Sequence, residues 1–335
     1  MNGDRMPNPF RPATASAPDR ERRPDHPFGL SPGSFVELVR PAWDLGRMPG
    51  PVRLTSDVLR YTAFSTDPAG GNPAGVVLDA RGVPDADMLT VAAEVGYSES
   101  AFVTERDEER RRFRLRYFSP LAEVAFCGHA TVATAVALAQ RLGEGSLLFD
   151  TAAGEIAVET AKDGDGVIRA TLTSAPTRSR PVDAAVLAEA LALLRWAPED
   201  LDGELPPCVA FGGVEHLVLA VRSRSRLAAL DYDFDGLAGL MDRQGWTTVQ
   251  LVWRESPELY HARDPFPIGG VVEDPATGAA AAAFGGYLRD LGALPSSGAF
   301  TIRQGEDMGR PSTLAVTASP DDERVRVSGA AVAIG

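Results

Sequence analysis

The chain has 335 residues, 44% of them hydrophobic and 7% aromatic, enough for two globular domains that each bury a core. A formal net charge of -13 argues against nucleic-acid binding, which needs clustered Lys and Arg; the one dense run, Glu105 to Arg112, mixes signs and reads as a solvated turn. No apolar segment approaches the roughly 18 to 20 residues a membrane-spanning helix needs, which argues against a membrane partner, and two distant cysteines, Cys127 and Cys208, with no secretory h-region point to a soluble protein of the reducing cytoplasm.

Residues 1–55 hold 10 of the 26 prolines and little apolar periodicity, so they read as a disordered tail, a partner-binding arm, or translation from an upstream start with Met48 as the alternative beginning. Order is expected from Val58. "VLRYTAF" and "AGVVLDA" read as strands around the turn "DPAGGNP", followed by a helix from Asp85 closed by Gly96. Strands at "SAFVTE" and "FRLRYFS", a helix from about His129 to Leu142, and strands at "SLLFDT", "GEIAVETA" and "VIRATLT" complete a first half. Ser174 to Asp183 has the Pro, Ser and Arg content of a linker or domain crossover, which places a boundary near 177/178. The second half has the same flavour: a helix from Asp183, strands near "PCVAFG" and "EHLVLAV", one helix over 225–245, strands "TTVQLVW" and "ELYHAR", an alanine-rich helix, and strands "FTIRQ", "TLAVTA" and "RVRVS".

"CGHATVATAVALAQRLG" (Cys127 to Gly143) and "TGAAAAAFGGYLRDLG" (Thr277 to Gly292) hold matching places in the two halves, so the expected fold is α+β, two half-domains that each roll a sheet around one small-residue helix. Each helix start has a bland account. At "EDPATG", Asp274 would be the N-cap and Pro275 the first helical residue, with no function required. The functional account is that unpaired amides at Thr277, Gly278 and Ala279, with the positive end of the helix dipole, bind a substrate carboxylate. "FCGHAT" offers the same device again, and amides beside Cys127 are expected to favour its thiolate. A zinc site is not expected, because Cys127 and His129 lack the further ligands a structural zinc requires. Nor does the chain hold a G-x-S-x-G, G-x-G-x-x-G or Walker motif. Glu99, in "GYSESAFV", adds a carboxylate, and with His129 and Asp274 it makes a plausible proton-transfer set.

"GGNPAGVVL", "SESAFV", "RYFSPLAEVAFCGHATVAT", "GGVVEDPATGAAAAA" and "QGEDMGRPS", in this order from about Leu59 to the C-terminus, resemble the phenazine-biosynthesis PhzF-like family within the diaminopimelate epimerase and proline racemase superfamily. The resemblance implies two pseudo-symmetric domains, each a curled, mostly antiparallel sheet around a central helix: 56–177 joined by a returning strand at about 322–335, and 178–321. It also implies a site in the cleft between them, no cofactor, no metal, and a homodimer. Glu99 would be the general acid/base of a cofactor-independent isomerase, His129 and Asp274 its proton-sharing partners, and Asn72 with the amides of Gly128, Gly278 and Ala279 the holders of a small carboxylate-bearing metabolite. Two departures from the phenazine enzyme's pattern matter: Ala279 stands where that enzyme has Ser, and Cys127 falls where the racemase branches carry one of two catalytic thiols, opposite Thr277 rather than a second Cys. Two alternatives therefore stand beside the isomerase: a dehydratase or racemase using Cys127, and a non-catalytic small-molecule-binding protein.

Overall fold

The computed structural model of the chain describes residues 58–335; the expected tail over residues 1–55 lies outside the described residues. In the first half, β1 (Leu59–Ala63) and β2 (Asn72–Val77) form a hairpin and α1 (Asp85–Val95) crosses to β3 (Glu99–Asp107). Then come β4 (Arg112–Phe118), the short β5 (Glu123–Val124), α2 (Gly128–Leu142), β6 (Gly145–Thr151), β7 (Gly154–Lys162) and β8 (Ile168–Thr173). The second half starts with β9 (Arg178–Pro181), α3 (Ala184–Leu193), β10 (Cys208–Phe211) and β11 (Glu215–Val221), then α4 (Arg224–Ala228), α5 (Phe234–Gln244), β12 (Trp246–Ser256) and β13 (Leu259–Phe266). It ends with β14 (Val271–Asp274), α6 (Gly278–Asp290), β15 (Ala299–Gln304), β16 (Ser312–Ser319) and β17 (Asp322–Ala333).

The pairings make this the α+β arrangement expected from the sequence. β2 runs parallel to β3, β3 antiparallel to β4, β4 parallel to β6, and β6, β7, β8 and β17 follow antiparallel; β17 also pairs with β1, which pairs with β2 and closes the ring. α2 lies inside, against β1, β2, β3, β7, β8 and β17. Every residue from His129 to Ala139 is buried, the pattern of a helix surrounded on all sides. The other sheet runs β9, β10, β11, β12, β13, β15, β16, β17 and curls around α6, whose residues Ala280 to Leu288 are all buried.

Small residues let these sheets close. A Cβ on Gly286 of α6 would sit 2.3 Å from Thr177 Oγ1, and one on Gly212 would sit 2.5 Å from the Ala279 carbonyl oxygen, so a larger residue at either place forces the helix off its sheet. A second core, with Trp196, Leu237, Leu240, Met241 and Trp246, fills the space between the outer face of the second sheet and α3, α4 and α5.

Two local expectations are corrected. Within the stretch from Ser174 to Asp183, read as a linker or domain crossover without a strand of its own, Arg178 to Pro181 pair with Phe211 to Cys208. Pro181 sits at the end of a strand with only this one ladder, where its missing N–H costs nothing. The helix read over 225–245 is two helices, since Ser223 caps Arg226 and Asp233 accepts from the Gly236 amide at 3.0 Å, restarting the chain.

Candidate active site

Glu99 opens β3 and is held beside Ala74 of β2 by the parallel ladder; it is 8% exposed. Asn72 opens β2. Cys127 is the residue before α2 and His129 the second residue within it. These four come from three separate stretches, and the closed ring brings their side chains together. His129 Nε2 lies 3.4 Å from Glu99 Oε2 and 3.4 Å from Ser98 Oγ, while Cys127 Sγ lies 3.6 Å from Glu99 Oε2 and 3.3 Å from His129 Nδ1.

Asn72 joins this group to the second half. Its Nδ2 donates to Asp274 Oδ1 at 2.6 Å and also faces His129 Nδ1 and the Ala276 carbonyl oxygen, each at 3.2 Å. Two hydrogens shared among three acceptors make Asn72 a tie between His129 and Asp274. Its –NH2 can reach a substrate carboxylate only by giving up one of these.

Asp274 is not the cap of α6, as the sequence suggested. It ends β14, paired with Asp264 of β13, and the helix starts at Gly278 with Thr277 as the flanking residue. The local run Asp-Pro-x-x reads as a helix start, but the ladder to β13 keeps Asp274 extended. Its carboxylate is thereby freed from capping: Oδ2 accepts from Thr277 Oγ1 at 2.6 Å and Oδ1 from Asn72. Burial pushes this carboxyl up to about 6, against the pull of His129 and of the hydrogen bonds from Thr277 and Asn72.

The amides expected to bind an anion are only partly available. Thr277 N–H is taken by Gln304 Oε1 at 3.2 Å, and Gln304 Nε2 donates to the Asp274 carbonyl oxygen at 2.7 Å and to Thr277 Oγ1 at 3.0 Å. The i to i−4 ladders begin with Ala281 N–H to Thr277 in α6 and Thr131 N–H to Cys127 in α2, so the amides of Gly278, Ala279, Gly128 and His129 have no acceptor within their helices. At Gly128 a Cβ would meet nothing nearer than Phe126 at 4.0 Å, and at Gly278 nothing nearer than Phe64 at 3.6 Å. Neither glycine is demanded by the protein's own packing, whereas Gly286 and Gly212 are. Both helices therefore open on a residue without a side chain.

The surroundings of Cys127 oppose the thiolate that its place beside helix amides would favour. Burial, followed by the neighbouring Glu99, pushes it well above the ordinary cysteine range, and the one helpful contact, the Ala130 amide, does not offset them. Behind Asp274 lies a set that sequence reasoning missed. Fully buried Asp264 accepts from Thr248 Oγ1 at 3.0 Å, and that oxygen is 2.8 Å from His216 Nδ1. Burial drives Asp264 well above the usual carboxylate range, reinforced by Asp274, and drives His216 down to about 3, so burial opposes charge on both groups behind Asp274. Arg310 was also missed: its guanidinium donates to the carbonyls of Gly71 (2.8 Å) and Gly70 (2.5 Å), fastening the turn that carries Asn72. The motif "QGEDMGRPS" was the available signal for it.

Among the described residues no helix is long and apolar enough to cross a membrane. Residues 61–335 match the PhzC-PhzF family model, "Phenazine biosynthesis-like protein". The chain is 32% identical to an isomerase of Escherichia coli O157:H7 named YddE, over 82% of this chain and 95% of that one. It is also 32% identical to the trans-2,3-dihydro-3-hydroxyanthranilate isomerase of Pseudomonas fluorescens, over 82% and 95% of the two chains. The fold resembles the crystal structure of a Bacillus anthracis phenazine biosynthesis protein of the PhzF family, with a TM-score of 0.75 at 24% identity, covering 83% of this chain and 96% of the other.

Proposed function

Because the chain belongs to the PhzC-PhzF family of phenazine biosynthesis-like proteins and is an isomerase, we propose that it moves a proton on a small carboxylate-bearing substrate without a cofactor, with Glu99 as base and then acid. The site would lie in the cleft between two domains, 56–177 with the returning strand at about 322–335, and 178–321. The substrate carboxylate would sit on the amides of Gly128, Gly278 and Ala279, where two helix dipoles converge. Glu99 would take a proton from carbon and return it to a different carbon, so one C–H bond breaks, another forms, and no electrons leave the substrate. His129 and Asp274, tied through Asn72, would hold the polarised end of the substrate and share its protons.

The observation that carries this reading is the proximity of one buried carboxylate, Glu99, to His129 at 3.4 Å, next to a helix start whose glycine leaves backbone amides bare. A racemase working through two thiols is disfavoured because the position opposite Cys127 is Thr277, whose hydroxyl is already spent on Asp274. The substrate named for the Pseudomonas fluorescens relative is one candidate, but Ala279 offers it no hydroxyl. A panel of amino, hydroxy and dienoic acids in deuterium oxide, followed by NMR, tests the assignment: solvent deuterium should enter carbon with the wild-type protein and not with Glu99→Gln. Equal exchange in the two proteins would remove Glu99 from its role.

A further inference from the structure

His129 has two ring nitrogens, and which of them holds the hydrogen decides what the ring can do beside Glu99. We propose that Asn72 is a positioning residue that fixes this choice: it keeps the lone pair on Nδ1 and the hydrogen on Nε2, so that His129 meets the substrate as a hydrogen-bond donor on the side where Glu99 stands. The placement of the hydrogen follows from contacts within the protein; its use in catalysis rests on the function proposed above.

The Asn72 amide can be turned only one way. Its Nδ2 lies 2.6 Å from Asp274 Oδ1 and 3.2 Å from the Ala276 carbonyl oxygen. A carbonyl oxygen only accepts, so the group facing it is the NH2. The amide oxygen in that place would set two acceptors against each other at a residue that is 1% exposed. The atom 3.2 Å from His129 Nδ1 is therefore a donor, and a ring nitrogen facing a donor presents its lone pair. With one hydrogen on the ring, that hydrogen is on Nε2.

The other side of the ring agrees. Nε2 lies 3.4 Å from Ser98 Oγ and 3.4 Å from Glu99 Oε2, and both oxygens can accept. Cys127 Sγ, 3.3 Å from Nδ1 and 3.6 Å from Nε2, lies beside the ring and selects neither nitrogen. Ser98 cannot dictate the choice, because a hydroxyl donates or accepts as its neighbour requires. Asn72 can, because the two acceptors that orient it belong to the end of β14 and the turn before α6. The start of α6 thereby sets, through Asn72, the state of a side chain on α2. In the proposed reaction Glu99 takes the proton from carbon and negative charge gathers at the polarised end of the substrate. Nε2–H can donate to that end without leaving the ring, whereas a ring with its hydrogen on Nδ1 would turn a lone pair toward the growing charge.

Long-range proton–nitrogen correlation NMR of the full-length protein labelled with 15N-histidine reads the placement directly, at a pH where the ring carries one hydrogen. The His129 signals are identified by their loss in His129→Gln. Nε2 should show the shift of a hydrogen-bearing nitrogen and Nδ1 that of a bare one; the reverse pattern overturns the proposal with no change made at Asn72. In Asn72→Leu, or in the smaller Asn72→Ser if the leucine variant does not fold, the two shifts should move toward each other as the tautomers mix. In Ser98→Ala they should stay apart. Unmoved shifts in the Asn72 variants, or mixing in Ser98→Ala alone, overturn the role of Asn72. Rates of deuterium exchange on an acid that the wild-type protein exchanges separate positioning from binding. Asn72→Leu should lower kcat by at least about tenfold and change KM by less than about threefold. A KM raised about tenfold with kcat kept would make Asn72 a substrate ligand and overturn the positioning role. Shifts that mix with kcat and KM both unchanged uphold the placement and overturn its use in catalysis. Exchange that ignores Glu99→Gln sinks the proposed function, while the ring shifts still decide the placement.

Discussion

The starts of α2 and α6 are built to one plan and differ in what surrounds them. Each begins with glycine after a residue that makes no side-chain cap, and each helix is buried along most of its length by its own sheet. At α2 the flanking residue is a thiol within 3.6 Å of Glu99 and 3.3 Å of His129. At α6 it is a hydroxyl committed to Asp274, with its amide held by Gln304. Groups that can carry a proton to carbon thus gather at one helix start, while the other supplies a braced carboxylate and open backbone. The difference teaches that two helix starts of one plan can be given unlike neighbours, and under the proposed function one end would move the proton while the other held what it moves from.

Replacing the carboxylate at the α2 end tests the comparison most severely. Glu99→Gln should lower turnover by roughly 10² to 10⁴, the range for loss of a working general acid/base, with urea midpoints close to wild type. A loss of less than about tenfold would mean the proton moves elsewhere and the two ends are not divided as described. The bracing of the α6 end can be broken separately. Arg263 and Glu273 are a buried bidentate pair on β13 and β14, and Arg263 also donates to the Ala228 carbonyl at 2.7 Å. Arg263→Met strands the Glu273 charge and should cost about 3 to 5 kcal/mol in urea unfolding. A cost below about 1 kcal/mol would show that Asp274 does not depend on this hairpin for its place.

The features legible in the sequence are those a short window contains. The small-residue helices and the amphipathic strands appear as periodic runs, and Cys127 with His129 appears as one motif. Asp274 was read as a helix cap, whereas its extended backbone is imposed by Asp264 across a ladder. Gln304, which closes the Thr277 amide, comes from β15, 27 residues on, with no local mark of its task. Asp264, Thr248 and His216 look like ordinary strand positions, and only the pairing of β11, β12 and β13 makes them a buried chain behind Asp274.

A subtler change should shift the pH dependence and leave the maximum alone. Thr277 Oγ1 donates to the charged form of Asp274, so it favours ionisation and holds down a pKa that burial has raised to about 6. In Thr277→Val that donor is gone, the neutral acid is favoured, and the pKa must rise. If the working form of Asp274 is the carboxylate, activity falls as pH drops through about 6 in the wild type and through a higher value in the variant. A pH profile of kcat/KM with an unmoved acid limb would show that Asp274 is not the group titrating there.

The smallest expected effect belongs to the residue that looks most reactive. Cys127 sits at a helix start, which normally favours a thiolate, yet burial and the adjacent Glu99 carboxylate both oppose the negative charge. A thiolate 3.6 Å from Glu99 Oε2 would have to form among buried residues, and Thr277, whose hydroxyl donates to Asp274, would be a poor second base under the proposed function. Cys127→Ala should therefore leave deuterium exchange within about threefold of wild type, far from the roughly 10² to 10⁴ expected when an acid/base group is lost. A loss of that larger size with folding intact would move the proton-carrying role from Glu99 to sulfur and make the two helix starts rivals of the racemase kind. A small loss keeps the thiol as packing beside the base, and the asymmetry between the two ends stands.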